Sequence, residues 1–184
     1  MLIGACVAGG AGVVAVAAPF VASFKPSEKA LAAGAPVEVD VSGIAPGEMK
    51  TVEWRGKPVW ILRRTPEMIA SVKKTTDRVA DPDSKRKEYP TPDYAKNELR
   101  SIKPEFFIAV GICSHLGCSP QGPLAAGTSG QLGDDLGFLC PCHGSTFDLA
   151  GRVFRNKPAP DNLEVPPHKY LSDASVLIGD DSKA

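Results

Sequence analysis

The sequence predicts a mainly β protein: an antiparallel β-sandwich head that carries a small subdomain on two loops, preceded by a single N-terminal transmembrane helix. Three observations lead there. Residues 1–24 hold no charged side chain. Beyond residue 36 the chain is dominated by short β-branched and aromatic runs separated by Gly and Pro. Two six-residue strings rich in Cys and His, at 113–118 and 140–145, stand just after such runs.

The N-terminal run comes first. As a helix rising 1.5 Å per residue, residues 1–24 span ~36 Å, enough for a hydrocarbon core of ~30 Å. Gly4, Ala8 and Gly12 recur at four-residue spacing and would let a neighbouring helix approach closely, so that face is read as docking on partner subunits. A cleaved signal peptide is the alternative, since Ala15, Ala17 and Ala18 before Pro19 resemble a cleavage region. The uninterrupted length favours a retained anchor. Residues 25–36 have too few large apolar side chains to build a core and close on Gly34 and Pro36, which reads as a flexible linker.

The remainder, residues 37–184, is about the usual size of one domain. Its strands are expected at 37–41, at 51–54 and 59–62 as a hairpin around Arg55-Gly56-Lys57, and at 106–112. Shorter ones are expected at 137–139, 146–148, 152–154, 162–165 and 176–178. One helix is expected over 66–74, with Pro66 in its first turn and Met68, Ile69 and Val72 at helical spacing. Residues 75–103, charged and punctuated by proline, are expected to lie on the surface of the head and carry no chemistry. With 21 basic against 21 acidic residues, there is no basic field for nucleic acid.

The two strings carry the chemistry. They read Cys113-Ser114-His115-Leu116-Gly117-Cys118 and Cys140-Pro141-Cys142-His143-Gly144-Ser145, which sets out Cys and His as C-x-H and C-x-x-H. Two thiolates and two imidazoles on two loops are the ligand set of a Rieske [2Fe–2S] centre, in which His replaces Cys on one iron and raises the potential. The imidazoles donate less charge than thiolates, so the histidine-bound iron takes the electron, and proton uptake is coupled to it at His115 and His143. Structural zinc is the alternative, but C-x-H is a poor zinc knuckle. Of five cysteines, Cys6 is remote, and Cys118 and Cys142 occupy matched places in the two strings. They are read either as a disulfide, which needs an oxidising compartment, or as two buried free thiols. His168, the third histidine, lies outside the strings and is read as a surface or strand-end residue. The remaining histidine is too few for the mononuclear iron site of an oxygenase.

These strings, with Lys157-Pro158-Ala159-Pro160 after them, resemble the Rieske iron–sulfur subunit family of ubiquinol–cytochrome c reductase, the cytochrome bc complex, in its bacterial form. The resemblance covers the whole chain. It implies a transmembrane anchor at 1–24, a hinge at 25–36 and a Rieske head at 37–184, with the cluster-binding subdomain at about 107–160. It implies one [2Fe–2S] cluster per chain on Cys113, His115, Cys140 and His143, a Cys118–Cys142 disulfide, and His143 as the hydrogen-bond partner of quinol. Ser145 and a Tyr two residues on, here Phe147, are in this family the donors to cluster sulfur that raise the potential; Phe147 therefore implies a lower one. Residues 157–160 would form the loop that packs over the cluster, with Lys157 where Gly is often found.

The implied function is electron transfer. The cluster takes one electron, with a proton through a ligand His, from quinol and passes it to a c-type cytochrome by movement of the head. The implied partners are a cytochrome b subunit, a c-type cytochrome subunit, quinol and the membrane, in a dimeric complex. The implied location is the bacterial inner membrane, single-pass, with the head in the periplasm and a twin-arginine signal upstream. The alternative is the Rieske small subunit of a periplasmic molybdenum enzyme such as arsenite oxidase.

Overall fold

A run of small and apolar residues without a charge leaves helical hydrogen bonding uncontested, and Leu2–Ser23 is one continuous helix, α1, of 22 residues with Pro19 inside it. The computed structural model describes residues 2–182, with side chains described except at 2–8, 29, 31 and 33. Gly4 and Ala8 of the small-residue stripe, and Cys6, fall outside the described side chains. Among the described residues no helix is long and apolar enough to cross a membrane. The stretch expected as linker holds a short helix, α2, Glu28–Ala33, started by Ser27, whose Oγ accepts the Ala30 N–H at 3.2 Å. The chain divides into two compact units, Met1–Ala35 and Pro36–Ala184.

The second unit is built from β1 (Val37–Asp40), β2 (Met49–Trp54), β3 (Lys57–Arg63), α3 (Pro66–Thr75), β4 (Phe106–Val110), β5 (Gln121–Leu124), β6 (Gly137–Leu139), β7 (Thr146–Asp148), β8 (His168–Tyr170) and β9 (Ser175–Ile178). They make three antiparallel sheets of three strands, in the orders β1-β9-β8, β2-β3-β4 and β5-β6-β7. The β2–β3 hairpin turns on two residues, Arg55 and Gly56, both left-handed at φ 53° and 70°, so Trp54 pairs with Lys57. That turn matches the twist of the strands it joins. Helix α3 starts as expected: Thr65 caps it by accepting the Met68 N–H at 3.3 Å, and Pro66 occupies the first turn.

Strands β3 and β4 read as unbroken apolar runs because both of their faces are covered. Alternate side chains go to two cores. Val59, Ile61, Phe106 and Ile108, with Trp54 of β2, join Val39, Val176 and Ile178 from the first sheet. Trp60, Leu62, Phe107 and Ala109 join Val72 of α3 and Phe138 and Phe147 of the third sheet. That second core extends to Cys113 and Cys140, so the site described below rests on it.

Several expectations are corrected. Strands β5 and β8 are additional. Residues 152–154 make isolated bridges only, Phe147 with Val153 and Val79 with Phe154. Residues 162–165 form no strand, because their main chain bonds outside any ladder: Leu163 N–H to Gly151 C=O at 2.8 Å, and Val165 N–H to Pro90 C=O at 3.2 Å. Residues 75–103 are not simply a solvated face, since Asp81, Ser84, Thr91, Ala95 and Arg100 are buried. Arg100 is 0% exposed; burial lowers its pKa to about 10, which leaves it charged at neutral pH.

His168 opens β8 but is buried, not superficial. Its Nδ1 lies 2.8 Å from the Pro166 carbonyl, its N–H donates to the Tyr94 hydroxyl at 2.8 Å, and its ring meets the Tyr94 ring edge-on. Burial pushes its pKa below the ordinary value, against the smaller opposing pull of the Pro166 carbonyl. The unfolded chain therefore binds the proton more readily. Stability contributed by the neutral ring is full above the unfolded pKa of about 6.5 and declines as pH falls from there toward the folded pKa. Urea unfolding of the protein between pH 7.5 and 5 should show that decline, and His168→Gln should flatten it; an equal slope in both proteins would exclude His168 as its source.

Candidate metal centre

Strand β4 runs out of the core through Gly111, where a β-carbon would stand 2.2 Å from Trp60 Cε2, so the chain can pass the indole only with glycine. It then enters the first loop, 113–118. Strand β6 ends at Leu139 and enters the second, 140–145. The two loops repeat one geometry. In each, the cysteine N–H donates to the carbonyl five residues on, Cys113 to Cys118 and Cys140 to Ser145, both at 2.8 Å. The residue four on donates back to the cysteine carbonyl, Gly117 at 3.1 Å and Gly144 at 3.0 Å. Both glycines are left-handed, at φ 82° and 74°, which explains their place in each string.

Within this frame Cys113 and Cys140 are free thiols, 1% and 2% exposed. Burial, then the neighbouring Cys140 sulfur, pushes the Cys113 pKa up; the His115 N–H and the Ser145 hydroxyl pull it down. The rings of His115 and His143 converge at 4.7 Å between centroids, nearly perpendicular. His143 is exposed and His115 half-buried, but His115 Nδ1 is buried and has no hydrogen-bond partner among the described residues. A buried ring nitrogen without a partner is costly unless something binds it.

Cys118 and Cys142 are joined as a disulfide, with Cα atoms 6.6 Å apart, which settles the alternative of two free thiols. The sulfurs of Cys118, Cys140 and Cys142 lie within 4.8 Å of one another. Chemistry separates them, because the bridged pair has no thiolate to give and Cys140 alone of the three can ligate. The donor set of two thiols and two imidazoles, one with an orphaned nitrogen, fits an iron–sulfur group.

The 157–160 loop is fastened to both strings. Ala159 N–H donates to Ser145 Oγ at 2.9 Å. Ser114 Oγ donates to the Asp161 carbonyl at 2.5 Å and accepts the Asp161 N–H at 3.3 Å. Sequence reasoning missed Ser114, whose partner is distant along the chain. Lys157 Nζ donates to the Gln131 carbonyl at 3.3 Å. Phe147 is fully buried in the core that holds the two thiols.

Residues 86–167 match the family model of the Rieske [2Fe-2S] domain, which sets the head in the class of Rieske iron–sulfur proteins. A ubiquinol-cytochrome c reductase iron-sulfur subunit of Allochromatium vinosum is 54% identical over 165 residues, 89% of this chain and 78% of the relative. Another, of Rhodospirillum rubrum, is 41% identical over 179 residues, 97% of this chain and 89% of the relative. A chain of the solved structure "Hyperthermophilic respiratory Complex III" is 28% identical over 96% of this chain and 98% of its own length, with a TM-score of 0.49. The chain belongs to the family of Rieske iron–sulfur subunits of ubiquinol–cytochrome c reductase, an oxidoreductase.

The disulfide closes a loop with a sequence separation of 24. In the chain-entropy account a loop of that size stabilises the fold by about 3 kcal/mol. Denaturant unfolding of a Cys118→Ser/Cys142→Ser variant should register a loss of that order; an unchanged midpoint and slope would show that the bridge does not restrain the unfolded chain.

Proposed function

We propose that the chain is the electron-carrying subunit of a quinol-oxidising cytochrome complex, with Cys113 and Cys140 as thiolate ligands of one iron and His115 and His143 as imidazole ligands of the other. The observation that carries this reading is the pairing of two buried thiols with the orphaned Nδ1 of His115 on loops tied by a disulfide. A [2Fe–2S] group held there supplies a one-electron store.

The protein's own groups do the rest. His143, exposed at the end of the head, offers its outer ring nitrogen to the quinol hydroxyl and holds the proton that leaves with the electron; His115 is the second such group. Ser145 donates to the Cys113 sulfur and so favours the more negative, reduced state. The 157–160 loop, pinned by Ser145 and Ser114, covers that side of the site with Ala159 and keeps water from it.

The partners in this reading are a cytochrome b subunit that completes the quinol pocket and a c-type cytochrome that receives the electron, within a dimeric complex. Residues 1–24 are read as a single-pass anchor in the inner membrane from their uncharged sequence, although no helix among the described residues is long and apolar enough to cross it. Residues 25–36 serve as the hinge for the 37–184 head, with the cluster-binding subdomain at about 107–160. The disulfide supports a periplasmic head, because such bonds persist in oxidising compartments.

Low-temperature EPR of membranes after ascorbate reduction tests the proposal. A Rieske-type signal shifted by an inhibitor of quinol oxidation is expected. A signal indifferent to the inhibitor would transfer the head to another complex, such as a molybdenum enzyme, and zinc without a signal would overturn the ligand assignment. A second measurement addresses tuning. Phe147→Tyr adds a hydroxyl donor within the core of the two thiols, so a redox titration should place its midpoint above the parent's, inside the Rieske range of roughly −150 to +300 mV; an equal or lower midpoint would refute the tuning role.

A further inference from the structure

Arg100 lies in the charged segment before β4, apart from the residues that hold the metal, and is completely buried. Its guanidinium makes five hydrogen bonds: Nε to Ser84 Oγ at 2.9 Å, Nη1 to the Ala150 and Gly151 carbonyls at 3.0 and 3.2 Å, and Nη2 to Thr91 Oγ1 and the Leu163 carbonyl at 2.7 and 2.6 Å. Ser84 and Thr91 belong to its own segment. The three carbonyls belong to two other stretches. Ala150 and Gly151 close the turn after β7, and Leu163 ends the stretch that begins with the 157–160 loop.

Those two stretches lead back to the site. β7 begins directly after Ser145, and the stretch ending at Leu163 contains Ala159 and Asp161, which Ser145 and Ser114 bind. The clamp and the Ala159 to Ser145 bond therefore join the same two strips of chain at their two ends. The direct bond from Leu163 N–H to Gly151 C=O, 2.8 Å, lies at the clamped end. The fit there is close: a β-carbon on Gly151 would come within 3.1 Å of Arg100 Nη1 and 2.6 Å of Phe107 Cζ.

We propose that Arg100 is a positioning residue for the metal centre: by clamping Ala150 and Gly151 to Leu163 it sets the spacing between β7 and the 157–160 loop, and with it the place of Ser145, whose Oγ holds the Ala159 N–H and to which the proposed function gives the donor role toward the Cys113 sulfur. Hydrogen bonds weaken steeply with angle and distance, so a small change at the clamped end reaches the Ala159 to Ser145 bond and the orientation of the hydroxyl that it fixes. Arg is required for its shape. Lysine keeps the charge but is a point donor that cannot bridge three carbonyls and two hydroxyls. The inference rests on Cys113 as a cluster ligand.

The test uses the full chain in three forms, Arg100→Lys, Ser145→Ala and both, with two readouts. Redox titration of the cluster should show a midpoint below the parent's in each single variant, and no further fall when Arg100→Lys is added to Ser145→Ala. Amide hydrogen exchange should quicken about tenfold at Ala159 and Asp161, as for the loss of an ordinary hydrogen bond, while the β2–β3 hairpin stays as protected as in the parent. A midpoint unmoved by Arg100→Lys, an equal fall in both backgrounds, or uniform acceleration of exchange would reduce Arg100 to a purely structural role and overturn the inference. If Arg100→Lys does not accumulate, Ser84→Ala removes one of the bonds that hold the guanidinium and is judged on the same readouts. A parent protein without a cluster signal would sink the ligand assignment, and the exchange comparison, which needs no cluster, would still decide for or against the clamp.

Discussion

Two sulfur atoms, Cys113 and Cys140, are held side by side out of water by loops from different parts of the chain, and the head is organised around that burial. A free thiol can be buried as a small apolar group, whereas a thiolate cannot be buried without a cation. The rise in the Cys113 pKa expresses the same fact. The site therefore needs an apolar floor, supplied by Phe138, Phe147 and Ala109, and polar groups that oppose the effect of burial on Cys113, supplied by the His115 N–H and the Ser145 hydroxyl. It also needs loops that cannot drift apart, which the Cys118–Cys142 bridge and the paired main-chain bonds of each loop provide.

Much of this is written locally in the chain. Gly117 and Gly144 follow from a turn that requires positive φ, Thr65-Pro66 from the demands of a helix start, and Arg55-Gly56 from a two-residue hairpin. Signals of that kind depend on near neighbours, and they led to α3, to the hairpin, to β6 and β7 and to both loops. Strand β5 was not legible because Gln121-Gly122-Pro123-Leu124 has the composition of a turn, yet its ends pair with Leu139 and Gly137 around an irregular register. The reverse holds at 162–165, where the alternation Asn162-Leu163-Glu164-Val165 suggests a strand, but the main-chain hydrogen bonds go singly to Gly151, Pro90 and Val110 and build no ladder.

The charged segment at 75–103 shows a different limit. Arg is ordinarily solvated, and nothing beside Arg100 in the sequence marks it as buried. Three carbonyls and two hydroxyls, most of them far along the chain, make its burial tolerable. Two more arginines follow the same rule. Arg64 donates to the Leu99, Pro104 and Leu149 carbonyls, and Arg152 pairs with buried Asp148 and reaches the Val72 carbonyl. Removing one partner from such a set strands the others in a dry interior, which makes each member dear to lose even where the whole contributes little net stability. The segment thus acts as a brace against the turn after β7.

The two loops share a frame but not a ligand order, and that difference shapes what the site presents. At the third position the first loop has His115 and the second has Cys142; at the fourth the first has Leu116 and the second His143. The one-residue shift spends the third position of the second loop on the disulfide and moves its histidine one place further out. His115 is half-buried with an enclosed Nδ1, while His143 is exposed, as is Leu116. A symmetric pair of loops would offer two equivalent imidazole edges to a partner. This arrangement offers one exposed ring, His143, and one half-buried ring, His115, while the 157–160 loop is fastened behind them to Ser145 and Ser114.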